Sequence, residues 1–220
     1  LCLFHVWVPG FLAPSNLIDL AQQISINAIL AFGMTLTILI GGIDLSVGAM
    51  VALVGTCAVY VLSQSGEGSV GLPLTLAALL AGLGTSVGFG VFNGLAASRT
   101  RMPPFIITLA TMHIARGLAL RFNEGRPMIV PDSALGFLAI GNGRLGGIAP
   151  IPVLIMLVVF AIGAVLLHGT LFGRHLYAIG GNRLAAQLSG VPVVRRETTV
   201  CVLCALFAGV AGLIHVSRLY

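Results

Sequence analysis

Few residues in this chain are equipped for chemistry, and their placement limits what that chemistry can be. Gly84-Thr85-Ser86-Val87-Gly88 matches G-x-S-x-G, the pattern that raises a nucleophilic serine on a sharp strand-to-helix turn. Here it lies inside a long apolar run that reads as helix throughout. An intramembrane serine protease using Ser86, with His113 or His215 as base, is therefore the weaker account, and the glycines have a packing explanation. Cys201 and Cys204 form C-x-x-C, also within an apolar run; small buried core residues are a plainer reading than a redox or metal pair. An aspartyl intramembrane protease needs two facing carboxylates. Asp44 has only Asp19, at a loop edge, as a possible partner. No His or Cys cluster has metal-ligand spacing. All 11 basic residues are Arg. That excludes from this chain both a Walker A phosphate loop, which requires Lys, and Schiff-base chemistry.

The elements that must position these residues are set by composition. Of 220 residues, 58% are hydrophobic and 8% charged, against about 25% charged in a soluble domain. The mean hydropathy is +1.09. So few charges cannot coat a soluble globule, and disordered chains are poor in apolar residues. A polytopic membrane protein remains, with an all-α transmembrane bundle as its fold class, because continuous apolar runs suit helices rather than alternating barrel strands. Four Cys do not make a disulfide framework. The net charge of +5 comes from scattered Arg, so loop arginines explain it better than nucleic acid does.

Six runs are expected to span: Ala21–Ile40, Leu45–Leu62, Leu72–Ala97, Phe105–Phe122, Ile148–Leu167 and Thr198–Ser217. The Asn123–Gly147 loop should carry a short surface helix near Ser133–Ile140. The interval His168–Glu197 is the longest polar one. Placed with Arg99 and Arg101 on one side, it gives that side six Arg against four on the other, which favours a cytoplasmic position for it. Gly82, Ser86, Gly90 and Gly94 recur every four residues and form a stripe for close helix approach. Ala205 with Gly209, and Ala208 with Gly212, do the same in the last run. The chain starts without Met, and Leu1–Val8 looks like the tail of an earlier hydrophobic segment rather than a signal peptide. The chain thus reads as one transmembrane domain, 1–220, truncated at both ends. Its last run is expected to have few partners and to turn its small-residue stripe to lipid.

Charge at membrane depth usually faces a bundle interior or a wet cavity. Asp44 lies in Gly41-Gly42-Ile43-Asp44-Leu45-Ser46-Val47-Gly48. Two readings stand: a broken helix that stops at the glycines, or an edge turn with Asp44 as a plain N-cap. Arg116, near the middle of its run, can pair with a carboxylate, bind backbone carbonyls or snorkel; a structural ion pair is preferred over substrate contact.

The block GGIDLSVG at Gly41–Gly48 resembles the signature of the membrane permeases of bacterial ABC sugar importers, of the ribose, xylose and arabinose type. The resemblance continues through Asn93-Gly94, PPFIITLATMHIARGLAL at Pro103–Leu120, EGRP at Glu124–Pro127, and FGRHLYAIGGNRLAAQLSGVPV at Phe172–Val193. The blocks fall in the family's order and cover most of Ala21–Leu219. His113 is unusual for its block and takes no role.

This resemblance implies a multi-pass permease of the bacterial inner membrane, moving a monosaccharide inward. It implies a second permease subunit, separate ATP-binding-cassette ATPase subunits and an extracytoplasmic sugar-binding protein. No cofactor is expected in this chain, ATP and Mg belonging to the ATPase. The resemblance also places the substrate pathway between helices, with Asn27, Asp44, Asn93 and Arg116 as candidates. A cytoplasmic coupling loop is expected over 173–197, touching the ATPase through Gly181, Asn182, Ala185, Ala186, Leu188 and Gly190. The residues themselves support a short helix there: Asn182 can cap it, Gly190 can end it and Pro192 blocks continuation. Ala185, Ala186 and Leu188 are expected to form its apolar docking face. A secondary transporter of a small polar solute is the alternative, and would need ion-coupling carboxylates where only Asp44 is available.

Overall fold

Apolar segments in lipid must satisfy their backbone internally, and helices do so. The computed structural model describes residues 12–65, 69–100, 102–122, 124–126, 128–147 and 149–219. Leu1–Val8 and Arg101 lie outside them. In chain order the helices are α1 (Pro14–Leu39), α2 (Val47–Leu62), α3 (Leu72–Arg99), α4 (Pro104–Phe122), α5 (Leu135–Asn142), α6 (Ile151–Gly169), α7 (Leu171–Gly181), α8 (Arg183–Leu188) and α9 (Val193–Ser217). A two-residue-strand hairpin, Arg144–Leu145 against Ala149–Pro150, precedes α6. Among the described residues, six helices are long and apolar enough to cross a membrane: α1, α2, α3, α4, α6 and α9. These are the six expected runs.

Local signals set their ends. Prolines occupy the first turn of α1, α3 and α6, where the missing N–H costs nothing. At the end of α1, Gly41 takes φ +78°. Its N–H donates to the Ile38 carbonyl while Gly42 N–H donates to Thr37, each at 2.9 Å, a Schellman stop that favours glycine. Both α1 and α9 begin earlier than the apolar runs predict, at Pro14 and Val193. The reason is that polar turns continue the helix beyond the apolar stretch. The helix expected near Ser133–Ile140 forms at Leu135–Asn142. The amphipathic α7 was not anticipated within the polar interval; it buries Phe172, Leu176 and Ile179.

The last run is the main departure. Instead of lacking partners, α9 runs through the middle of the bundle against α1, α2 and α3. Small residues around more than one side of α9 make this possible. A β-carbon on Gly94 would fall 2.7 Å from the Thr198 Cα, and one on Gly90 would fall 2.8 Å from the Val202 Cα. Gly209 meets Ser86, Gly212 meets the Val51 backbone, and Gly33 of α1 meets Cys204. The predicted α3 stripe is thus the seam with α9, where dispersion gains from close backbone approach hold helices together. Two side-chain clusters flank it. Leu53, Val54 and Phe137 lie at the centre of one, and Ile29, Leu36, Leu176 and Ile214 at the centre of the other.

Candidate functional site

The segment between α1 and α2 begins at one end of the bundle and turns inward. Gly41, Gly42, Arg99, Pro103, Arg183 and Glu197 line one cavity of about 480 Å³, so this loop shares its end with α8. Yet Asp44 is only 3% exposed. Its Oδ1 accepts the Ser46 N–H at 2.8 Å and the Ser46 hydroxyl at 2.5 Å. Asn93 of α3 donates from Nδ2 to Ser46 Oγ at 3.2 Å, and Thr111 of α4 donates to Asn93 Oδ1 at 2.6 Å. Thr108 accepts the Leu45 N–H at 3.1 Å. Asp44, Ser46, Asn93, Thr108 and Thr111 are all buried. The expected break is there, but Asp44 does not cap α2: the N-cap position falls to Ser46, no side chain caps the helix, and the carboxylate closes a turn onto Ser46 instead. The helix breaks at the glycines near the bundle edge, and Asp44 is packed inward as the acceptor of an internal network. Buried polar groups stay cheap only when paired in this way.

Asp44 and Asn93 are therefore brought together through Ser46, while Asn27 and Arg116 are not. Asn27 is exposed on α1 and lines a separate groove with Gln23, His215 and Arg218. Arg116 is exposed on α4, to one side of the stripe that Ala115 and Ala119 bury. Among the described residues no carboxylate comes within 4.0 Å of it, so the expected ion pair does not form there. Asp44, the buried carboxylate, is already turned to Ser46. Ser46, Thr108 and Thr111 were missed, because their partnership joins residues far apart in sequence.

The protease reading fails on geometry. Ser86 is fully buried against α9 and donates to the Leu83 carbonyl at 2.9 Å. His113 and His215 are exposed elsewhere. Cys204 is buried and Cys201 half-buried, both as free thiols.

The second candidate site is α8. Asn182 Oδ1 accepts the Ala185 N–H at 2.9 Å, the N-cap that its sequence predicts. At the other end Gly190 takes φ +83°, and the Gly190 and Val191 N–H groups donate to Gln187 and Ala186. Arg183 forks onto Glu197 of α9, with Nε–Oε1 2.6 Å and Nη2–Oε2 3.1 Å. That bond holds the guanidinium proton more tightly than usual. Beneath, α7 seats on the end of α1, where a β-carbon on Gly180 would collide with the Leu39 carbonyl.

One expected contact is reversed. Ala186 is 4% exposed and packs with Ile179 and Val193, so it anchors α8 instead of facing outward. The outward apolar pair is Leu184 and Leu188, 66% and 81% exposed, spaced i, i+4 on one face. Leu184 was missed because sequence alone cannot say which side of a two-turn helix meets the bundle. Gly181, Asn182, Ala185 and Gly190 are exposed around that face.

The bundle thus has six spans around a small-residue seam, a buried polar break and a presented short helix. Residues 16–219 match the family of the branched-chain amino acid transport system / permease component, and the chain belongs to that family of multi-pass membrane permeases. Similar curated proteins include the ribose import permease RbsC of Bacillus subtilis, 43% identical over 96% of this chain and 63% of its own length. RbsC of Escherichia coli K12 is 40% identical, over 96% of this chain and 64% of its own. The L-arabinose transport system permease AraH of E. coli K12 is 35% identical, over 97% and 62%. The chain spans a little under two thirds of the length of these relatives. No solved structure matches it.

Proposed function

We propose that this chain is the membrane-spanning part of a permease in an ABC importer of the bacterial inner membrane, carrying a pentose-like monosaccharide into the cytoplasm. Its partners would be ATP-binding-cassette ATPase subunits, a second permease subunit and an extracytoplasmic sugar-binding protein. The observation that carries the reading is the presentation of α8. A capped, ion-paired two-turn helix is anchored by Ala186 and displays Leu184 and Leu188 at the arginine-richer end of the bundle. Exposed leucines outside the lipid-spanning runs suit a hydrophobic groove on a partner. The names of the similar permeases favour a sugar over a branched-chain amino acid. The coupling loop over 173–197 is read as α7 and α8 acting as one platform, and the pathway as running beside Asp44 and Asn93.

A secondary transporter would need ion-coupling carboxylates, and Asp44 is the one buried carboxylate among the described residues. The experiment replaces Leu184 and Leu188 together with Glu in the whole permease. Neither side chain is buried, so membrane levels should hold. Co-purified ATPase and sugar uptake should both collapse, because burying unpaired carboxylates in a groove is unfavourable. Normal uptake at normal expression would remove α8 from the coupling role.

A further inference from the structure

Beside α8, on a different face from Leu184 and Leu188, lies a groove of about 910 Å³ between the end of α3 and the start of α9. Helical spacing separates the two faces. Arg183 and Gln187, four residues apart, line the groove, whereas Leu184 and Leu188 point one residue further round. Its rim carries Arg99, Arg183 and Arg195. Arg183 is engaged by Glu197, but among the described residues no carboxylate lies within 4.0 Å of Arg99 or Arg195. The first turn of α9 has neither a side-chain cap nor an acidic residue, so its positive dipole end adds to the same field. The wall is different in kind: Leu95, Val191 and Val194 are apolar, while the floor, where α3 meets α9, carries the hydroxyls of Ser98, Thr198 and Thr199.

We propose that this groove holds the phosphate-bearing headgroup of an anionic glycerophospholipid. Guanidinium forks match phosphate oxygens, and basic pockets between helix ends at a membrane surface suit such headgroups. A cationic rim above an apolar wall fits a ligand that is itself amphipathic. A free phosphate would leave most of the volume empty. An acidic protein segment would satisfy the arginines but leave the apolar wall without a partner.

The test uses the full chain, purified in a neutral maltoside, with dioleoyl phosphatidylglycerol or dioleoyl phosphatidylcholine, bound lipid being read by native mass spectrometry. Two unpaired arginines should favour phosphatidylglycerol about 30-fold. The preference should vanish in Arg99→Gln/Arg195→Gln and largely persist in Arg99→Lys/Arg195→Lys. Among the described residues neither arginine makes an ion pair, so the thermal midpoint should not move; if the Gln pair does misfold, the wild type and the Lys pair still decide. Equal affinity for the two lipids, or an unchanged preference in a folded Gln variant, overturns the proposal. Displacement of phosphatidylglycerol by millimolar inorganic phosphate overturns it in favour of a free anion. Loss of ATPase co-purification from the Gln variant with lipid preference intact overturns it in favour of a protein contact.

Discussion

The α3–α9 seam and the α7–α8 platform are held in opposite ways. In the seam, Gly90 and Gly94 of α3 lie against the α9 backbone and Gly209 of α9 against the Ser86 side chain, so an added side chain has no room there. On the platform a six-residue helix is fixed by one cap, one ion pair and the anchor Ala186, while its leucines remain uncovered. Interiors are packed too densely to absorb an added side chain, so changes in the seam should act on the fold. Changes on the outer face of α8 should leave the fold alone and act on what the permease assembles with.

The largest effect should come from the seam itself. Gly90→Leu or Gly94→Leu drives a side chain into the α9 backbone and should cost about 3 kcal/mol or more, read as loss of a cooperative melting transition in detergent. Gly84→Ala and Gly88→Ala, on the same helix but with no heavy atom within 4 Å of the added carbon, should stay within about 1 kcal/mol of the parent. Equal damage at all four positions would mean that the stripe has no special role.

An intermediate effect belongs to the polar break. Asn93→Leu leaves the Ser46 and Thr111 hydroxyls without their shared partner and should destabilise by about 1–3 kcal/mol. An unchanged melting midpoint would show that the network contributes little. The smallest stability effect should follow Arg183→Gln. Its side chain is 52% exposed, and exposed pairs are worth less than about 1 kcal/mol. A loss of several degrees would make the ion pair, and not Ala186, the main anchor of α8.

The same contrast explains how much the amino-acid order disclosed. The six spans follow from uninterrupted apolar runs, and the α3 seam from its four-residue repeat, because both are local patterns. Asn182 and Gly190 mark the ends of α8 for the same reason, each acting within a few residues. What stayed hidden depends on which face meets which neighbour. Ala186 turns inward only because Ile179 and Val193 are there to receive it, and Leu184 is thereby left outside. Asp44 finds Asn93 and Thr111 through the fold, across 47 and 18 residues of separation in successive bonds. Asn27 and Arg116 face outward because the buried sides of α1 and α4 are fixed by their neighbours. The α7 helix was masked by polar residues on its free side, and the centrality of α9 required partners that no local pattern names.

The proposed coupling role depends most on the orientation of α8, and site-directed cross-linking reads that orientation directly. In the whole permease, with native cysteines replaced by alanine, single cysteines are placed at Leu184, Ala186 and Leu188 and treated with a short thiol cross-linker in the presence of the ATPase. Leu184→Cys and Leu188→Cys should each yield a permease–ATPase adduct, and Ala186→Cys should yield none. Cross-linking at position 186, or its absence at 184 and 188, would contradict the account.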